Sequence, residues 1–203
     1  MKVDGRVERG EQTRRQILRR AADIASVEGL EGLSIGRLAT ELRVSKSGVF
    51  AHFGSKEELQ LATVRAAAAI FVARVVEPAL AVPPGLERLR LLLDGWLEYS
   101  EDRTFPGGCF FYAVQAEFDA RPGRVRDAVA RYGREWNDYV RETVAAVEGV
   151  TDPDQVAFEL IAFLEMANVQ SVLHDDPRAY DRARVAVRGR LAQAAGAASA
   201  TRR

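Results

Sequence analysis

The chain has 203 residues, 47% hydrophobic and 29% charged, with no net charge at neutral pH; this globular balance excludes a disordered chain and suffices to bury a core. A single cysteine, Cys109, excludes an internal disulfide framework and fits a reducing, cytoplasmic setting. No uninterrupted apolar run reaches the roughly 18–20 residues of a membrane span and no signal-peptide pattern opens the chain, so a soluble protein without a membrane partner is expected.

Residues 1–10 (MKVDGRVERG) are polar and mixed in charge and read as a flexible arm. From Gln12 to Glu28 the spacing of Ile17, Leu18, Ala21, Ile24 and Ala25 predicts a helix, ended by Gly29 at the C′ position. Arg14, Arg15, Arg19 and Arg20 crowd its remaining surface. Ser34 is placed to cap a short second helix with Leu38 and Leu42 one turn apart. After the brief Arg43-Val44 link, Ser45 caps a third helix containing Val49, Phe50 and Phe53, closed by Gly54. Ser55 and Glu58 then form a capping box that opens a longer fourth helix, reaching about residue 80.

Beyond Pro83-Pro84-Gly85 the helical pattern returns with Leu86, Leu89, Leu92, Leu93, Trp96 and Leu97. A turn at 104–108 precedes a helix over 109–120, stopped by Pro122-Gly123. Further helices are predicted over 124–148, from Asp152-Pro153 to about His174, and over 177–195. Residues 196–203 lack core formers and read as a disordered tail. No alternating strand pattern occurs, so the fold class is all-α, with about nine helices.

Residues 41–59, ELRVSKSGVFAHFGSKEEL, hold small and polar groups where a core helix would hold bulk. Two short helices joined by a tight turn, the second poor in bulk, follow helix-turn-helix logic, here over about 34–53. A helix entering the major groove, about 12 Å wide, must be small or polar on its outer face. That face is Lys46, Ser47, Gly48 and Ala51. Val49, Phe50 and Phe53 are expected on the inner face, against Leu38 and Leu42. Ser45 stands where cap amides meet a phosphate, and His52 and Lys56 stand at the far end. Charge supports this only weakly, since residues 1–60 carry 11 Lys/Arg against 9 Asp/Glu.

The run LSIGRLATELRVSKSGVFAHFGSKEEL, with the threonine-started first helix from Thr13, resembles the DNA-binding signature of the TetR family of transcriptional regulators. The resemblance implies a helix-turn-helix DNA-binding domain at 11–60 and a larger helical effector-binding and dimerisation domain at 61–195. It also implies a homodimer on a pseudo-palindromic operator, acting as a repressor released by a small-molecule effector. Thr13, Arg37, Ser45, His52 and Lys56 match phosphate contacts of the family. Lys46, Ser47, Gly48 and Ala51 match its base-facing set. Phe50 stands where tyrosine is common in the family and lacks the hydroxyl, which leaves it a packing role within the DNA-binding set.

The segment FPGGCFFYAVQAEFDARPGRVR resembles one subgroup of TetR C-terminal domains. An effector pocket there would draw on Trp96, Cys109, Phe111, Gln115, Phe118, Trp136, Tyr139 and Met166, since binding sites are mostly apolar with a few polar groups. Cys109, at a helix start after two glycines, could also sense oxidants through a lowered thiol pKa, although no basic residue adjoins it in sequence. Val156, Leu160, Phe163 and Leu164 on one helix, with Val185 and Leu191 on the next, are expected at a dimer interface. With two histidines and no metal-ligand, P-loop, dinucleotide or nucleophile motif, neither an enzyme nor a metal site nor a bound cofactor is expected. The competing reading is a helical ligand-binding or thiol-sensing protein acting through protein partners instead of DNA.

Overall fold

The computed structural model describes residues 5–201, with side chains over 8–194; the expected arm and tail fall outside this range at 1–4 and 202–203. Helix is the only regular element among the described residues. The helices are α1 (Gly5–Glu28), α2 (Ile35–Leu42), α3 (Lys46–Phe53), α4 (Lys56–Phe71), α5 (Glu77–Ala79), α6 (Leu86–Glu101), α7 (Phe110–Phe118), α8 (Arg124–Ala145), α9 (Pro153–Leu173) and α10 (Ala179–Thr201). Helix α1 starts at Gly5, ahead of the predicted start at Gln12, with Glu8 in its first turn, where a carboxylate complements the helix dipole. Helix α10 likewise runs past Ala195, on a sequence rich in alanine.

The chain folds as two compact units that do not follow the sequence order. The first joins residues 1–69 to residues 105–130. Its core includes the predicted stripe of α1, with Ile17, Ala21 and Ala25 at most 1% exposed and Ala22 beside them, closed by Leu30, Leu33, Leu38, Val49 and Leu59. Phe105, Phe110 and Val114 are fully buried in the same unit, where α7 packs along α1. Each such side chain contributes roughly 1.5–3 kcal/mol on burial. The contact of α7 with α1 is close enough to require glycine at 107. The Gly107 N–H donates to Ser26 Oγ at 3.1 Å, and a Cβ at Gly107 would penetrate the Ser26 carbonyl.

The second unit comprises residues 70–104 and 131–203. Here α9 and α10 lie along each other and both touch α6. Val156, Leu160, Leu164, Val187 and Leu191 fill the seam, and the Ser100 hydroxyl pairs with Asn168 Oδ1 at 2.9 Å and with the Tyr180 hydroxyl at 2.8 Å. Between α4 and α5 the helix widens into a π segment, Val72–Val76, in which the Glu77 N–H bonds back to Val72 O. Pro78 explains this locally: it has no N–H to give, and its ring would crowd the carbonyl four residues earlier in an unbroken α-helix. The π segment rests on α6 at Gly95, where an added Cβ would stand 3.6 Å from Val75 O.

Two helical stretches, Lys56–Ala79 and Pro153–Leu173, are long and apolar enough to cross a membrane by length and composition. Both contribute core residues, Leu59, Val64 and Val75 from the first and Val156, Leu160 and Leu164 from the second.

Gly107→Ala is expected to lower stability by at least about 1–3 kcal/mol, the cost of overpacking against rigid backbone. Gly10→Ala has nothing within 4 Å and serves as control. Urea unfolding midpoints check both, and equal midpoints would refute the close approach.

Candidate nucleic-acid interface

The helix-turn-helix is built by its caps. Ser34 Oγ accepts the Arg37 N–H at 3.1 Å, and Ser45 Oγ accepts the Gly48 N–H at 3.0 Å. Caps of this kind contribute about 1 kcal/mol each. Between the helices, Arg43 takes the left-handed conformation (φ 55°, ψ 39°), its N–H bonded to the carbonyls of Ala39 and Thr40. The Val44 N–H reaches Ala39 O at 3.0 Å. Three residues therefore reverse the chain, and α2 packs on α3.

Helix α3 sorts as its composition suggests, with one correction. Val49 and Phe53 are buried, against the buried Leu38. Lys46, Ser47 and Ala51 are exposed, and Gly48 and His52 are half-buried. Phe50, expected on the inner face, is instead 54% exposed. The helical register accounts for this, because one step of about 100° from Val49 carries the next side chain off the buried face. Its ring therefore belongs to the same surface as Lys46 and Ala51.

The cations of this unit differ in how far they are committed. Arg37 pairs with Glu28 and with Glu41, and Glu41 also takes Arg20. Hydrogen bonds from Arg37 hold the Glu28 and Glu41 carboxyls below the ordinary glutamate range, Arg20 adding to the effect on Glu41. The same bonds, first from Glu28, raise Arg37 further above its ordinary value. Lys56 Nζ donates to Glu31 O at 2.7 Å and pairs with the Glu31 carboxylate at 3.0 Å. By contrast, Arg15, Arg43 and Lys46 have no acidic partner among the described residues. Lys46 lays its aliphatic stem on the first turn of α2, where a Cβ at Gly36 would stand 3.3 Å from Lys46 Cε. Thr13 is half-buried on α1. Arg43 is exposed at the turn and escapes sequence reasoning, because only its left-handed backbone reveals it as a fixed point of the motif.

The other predicted sites are rearranged. Cys109 stands at the cap of α7, not in its first turn, and is 4% exposed. Of the pocket candidates, Cys109, Phe111, Gln115 and Phe118 lie in the first unit, and Trp96, Trp136, Tyr139 and Met166 in the second. Met166 is 54% exposed on the outer side of α9, so it lines no interior. In the second unit Phe71 meets Trp136 and Tyr99 edge-on, at 5.1 and 5.3 Å between ring centroids. The Tyr139 hydroxyl, three residues from Trp136, is buried with no hydrogen-bond partner among the described residues. Burial pushes the Glu165 carboxyl above its ordinary pKa.

The expected dimer residues need a similar correction. Val156, Leu160, Leu164 and Leu191 are buried within their own chain, where α9 packs on α10, and Phe163 is half-buried. The outward apolar residues are Phe158, Met166 and Leu173 on α9 and Val185 on α10, each more than half exposed. The sequence stripe on α9 is wide enough to serve two faces, and periodicity alone does not say which faces the partner helix of the same chain. No cluster of metal-ligating side chains occurs among the described residues.

Residues 17–63 match a family model described as bacterial regulatory proteins, tetR family. Residues 85–187 match one described as tetracyclin repressor-like, C-terminal domain. No curated protein matches the chain. A TetR transcriptional regulator from Chloroflexus aurantiacus is 25% identical, with 92% of this chain and 97% of that one covered and a TM-score of 0.82. A TetR-family transcriptional regulator from Streptomyces coelicolor is 24% identical, covering 91% and 97%, with a TM-score of 0.78. AibR, solved with isovaleryl coenzyme A and operator DNA, is 19% identical over 88% and 96%, with a TM-score of 0.66.

Replacing Arg37 by glutamine should return the Glu28 and Glu41 carboxyls toward the ordinary glutamate range. Because their folded pKa values are depressed, the stabilisation they supply is present at neutral pH and is lost as pH falls through those values. Carboxyl titration by 13C NMR checks this, and unmoved midpoints would show that Arg37 does not hold them.

Proposed function

The chain belongs to the TetR family of bacterial regulatory proteins, and from that membership we propose a homodimeric repressor that binds a pseudo-palindromic operator and leaves it when a small molecule binds. The observation that carries the reading is α3 itself. It is a capped helix held to the unit by Val49 and Phe53, with Lys46, Ser47, Phe50 and Ala51 turned outward.

The cations assign themselves by their commitments. Lys46 and Arg43, unpaired and at either side of the turn, meet the DNA at low desolvation cost. Lys46, with its stem on Gly36, reaches the phosphate beside the start of α2. Arg37 and Lys56 would each have to share or exchange a carboxylate partner on binding, and repulsion between Glu28 or Glu41 and phosphate opposes a deep approach at Arg37. Thr13, Ser45 and His52 supply further phosphate contacts, and Ser47, Gly48 and Ala51 face base edges. Phe50 offers an apolar face of the kind that fits a thymine methyl group.

For the effector, the aromatic group of Phe71, Tyr99 and Trp136 with the unpaired Tyr139 hydroxyl supports a mostly apolar ligand with one hydrogen-bonding group. Release follows from differential affinity of that ligand for the two conformers of the protein. For the dimer, Phe158, Met166, Leu173 and Val185 supply an outward apolar surface on the two helices. A thiol-sensing role for Cys109 loses ground with its burial.

Selection of bound fragments from random DNA should yield an inverted repeat. On that site Lys46→Ala and Lys56→Ala are expected to weaken binding to all sequences and to flatten the dependence of log K on log salt by about one ion each. A change of base preference in Lys46→Ala would assign it to a base instead. No enrichment over nonspecific DNA would refute the regulator reading. Phe158→Glu should convert a dimer to a monomer in light scattering at micromolar concentration, and a wild-type monomer would refute the dimer.

A further inference from the structure

The turn between α1 and α2 is pinned at every polar group of two successive residues. The Glu117 carboxylate on α7 accepts the Leu30 N–H at 2.7 Å through Oε2 and the Glu31 N–H at 2.8 Å through Oε1. Gln60 Nε2, on α4, donates to Leu30 O at 3.0 Å, and Lys56 Nζ donates to Glu31 O at 2.7 Å. Gln60 and Lys56 also bond the Glu31 side chain. Leu30 is fully buried between these anchors. The preceding Gly29 has φ +79°, and a Cβ there would stand 2.5 Å from Glu117 Oε2. The turn thus admits the carboxylate only because residue 29 has no side chain. Two further links tie the segment around α7 to α1 and α4 of the same unit. Gly107 bonds Ser26 near the end of α1, and Arg124 pairs with Glu57 and Glu58 at the start of α4 at 2.8 Å each.

We propose that Glu117 is a positioning residue for DNA recognition: its two-oxygen clamp on the Leu30 and Glu31 amides fixes the start of the helix-turn-helix to α7, so that displacement of α7 releases the orientation of α3. The inference rests on the DNA-binding reading and deepens it. The geometry favours a coupling role over a purely structural one. A carboxylate grips two parallel donors only while α7 keeps its present distance and rotation, and charge-assisted bonds of this kind are lost steeply with misalignment. Helix α7 also carries Phe111, Gln115 and Phe118, so a ligand touching it would act on the clamp directly.

Three variants of the full chain test this against two duplexes, the selected operator and a scrambled duplex of equal length. Glu117→Ala removes the clamp. Glu117→Gln keeps its shape but turns one acceptor into a donor facing an N–H. Gly29→Ala crowds the carboxylate without altering it and also strains the backbone at φ +79°. Glu117→Ala and Gly29→Ala should each weaken operator binding at least about tenfold, with scrambled-duplex affinity within about twofold of the wild type. Glu117→Gln should fall between. Hydrogen exchange at the Leu30 and Glu31 amides should quicken in the same order, with α9 and α10 amides unchanged. Operator affinity within about twofold of the wild type for Glu117→Gln and one other folded variant would overturn the proposal. Equal losses on both duplexes would also overturn it, marking a general structural role. A wild type that does not distinguish the duplexes would refute DNA recognition itself, a separate failure.

Discussion

Backbone that leaves a helix and turns into the interior must find partners for peptide groups that water no longer reaches, and an unpaired one costs about 1–3 kcal/mol. This constraint governs the first unit. Leu30 is fully buried, and of the peptide groups of Leu30 and Glu31 only the Leu30 carbonyl finds a backbone partner within the turn, the Leu33 N–H at 3.2 Å. Side chains from α4 and α7 complete the set: one carboxylate takes both N–H groups, the Lys56 ammonium takes the Glu31 carbonyl, and the Gln60 amide adds a second bond to the Leu30 carbonyl. Covering one apolar side chain in this way recruits a helix some eighty residues further along. The unit is consequently discontinuous in sequence, and the segment 105–130 belongs to the DNA-binding body as fully as α1 does.

The same economy shapes the charged surface. A protein with no net charge can still present a phosphate-binding face if its acids are spent on particular bases. Glu28 and Glu41 are spent on Arg37 and Arg20, and Glu31 on Lys56. Arg43 and Lys46, at the tight turn, stay uncommitted, as Arg15 does on α1. Two cations therefore adjoin at the turn although the summed charge of the segment is close to even. Exposed pairs of this type contribute little to stability, because water screens them. Their more important effect is to decide which cations are available to a polyanion and which must first give up a partner.

Much of this was legible in the residues. Ser34, Ser45, Ser55 and Asp152 cap helices where their spacing places them, because a cap is a local bond between a side chain and an amide three residues on. Gly29 closes α1 for a similarly local reason. The identity of the helix-turn-helix and the all-α class followed from such signals together with the family signature. Less legible was everything decided by distant packing. Phe50 was assigned inward on its apolar character, yet helical register sets it outward. Val156, Leu160, Leu164 and Leu191 were assigned to a second subunit, although α9 and α10 consume them within the chain. Glu117 carries no local mark at all. Its role exists only where α7 meets the α1–α2 turn, and one sequence does not show that meeting. Contributions from Arg43 were hidden because a non-glycine residue in the left-handed region leaves no sequence signature.

The π segment at Val72–Val76 bears on how the connecting helix keeps one face inward. Phe71, Val75 and Ala79 are buried at spacings of four. In a regular α-helix four residues advance about 400°, so each step would overshoot a full turn by about 40° and the stripe would wind around the rod. A wider turn in the middle advances less per residue and takes back part of that overshoot, in keeping with the burial of all three side chains. The proline that forces the widening is thus also what lets a stretch too evenly spaced for an α-helix lie flat against α6. Alignment of the stripe, not only length or hydrophobicity, is what a substitution at Pro78 would alter first.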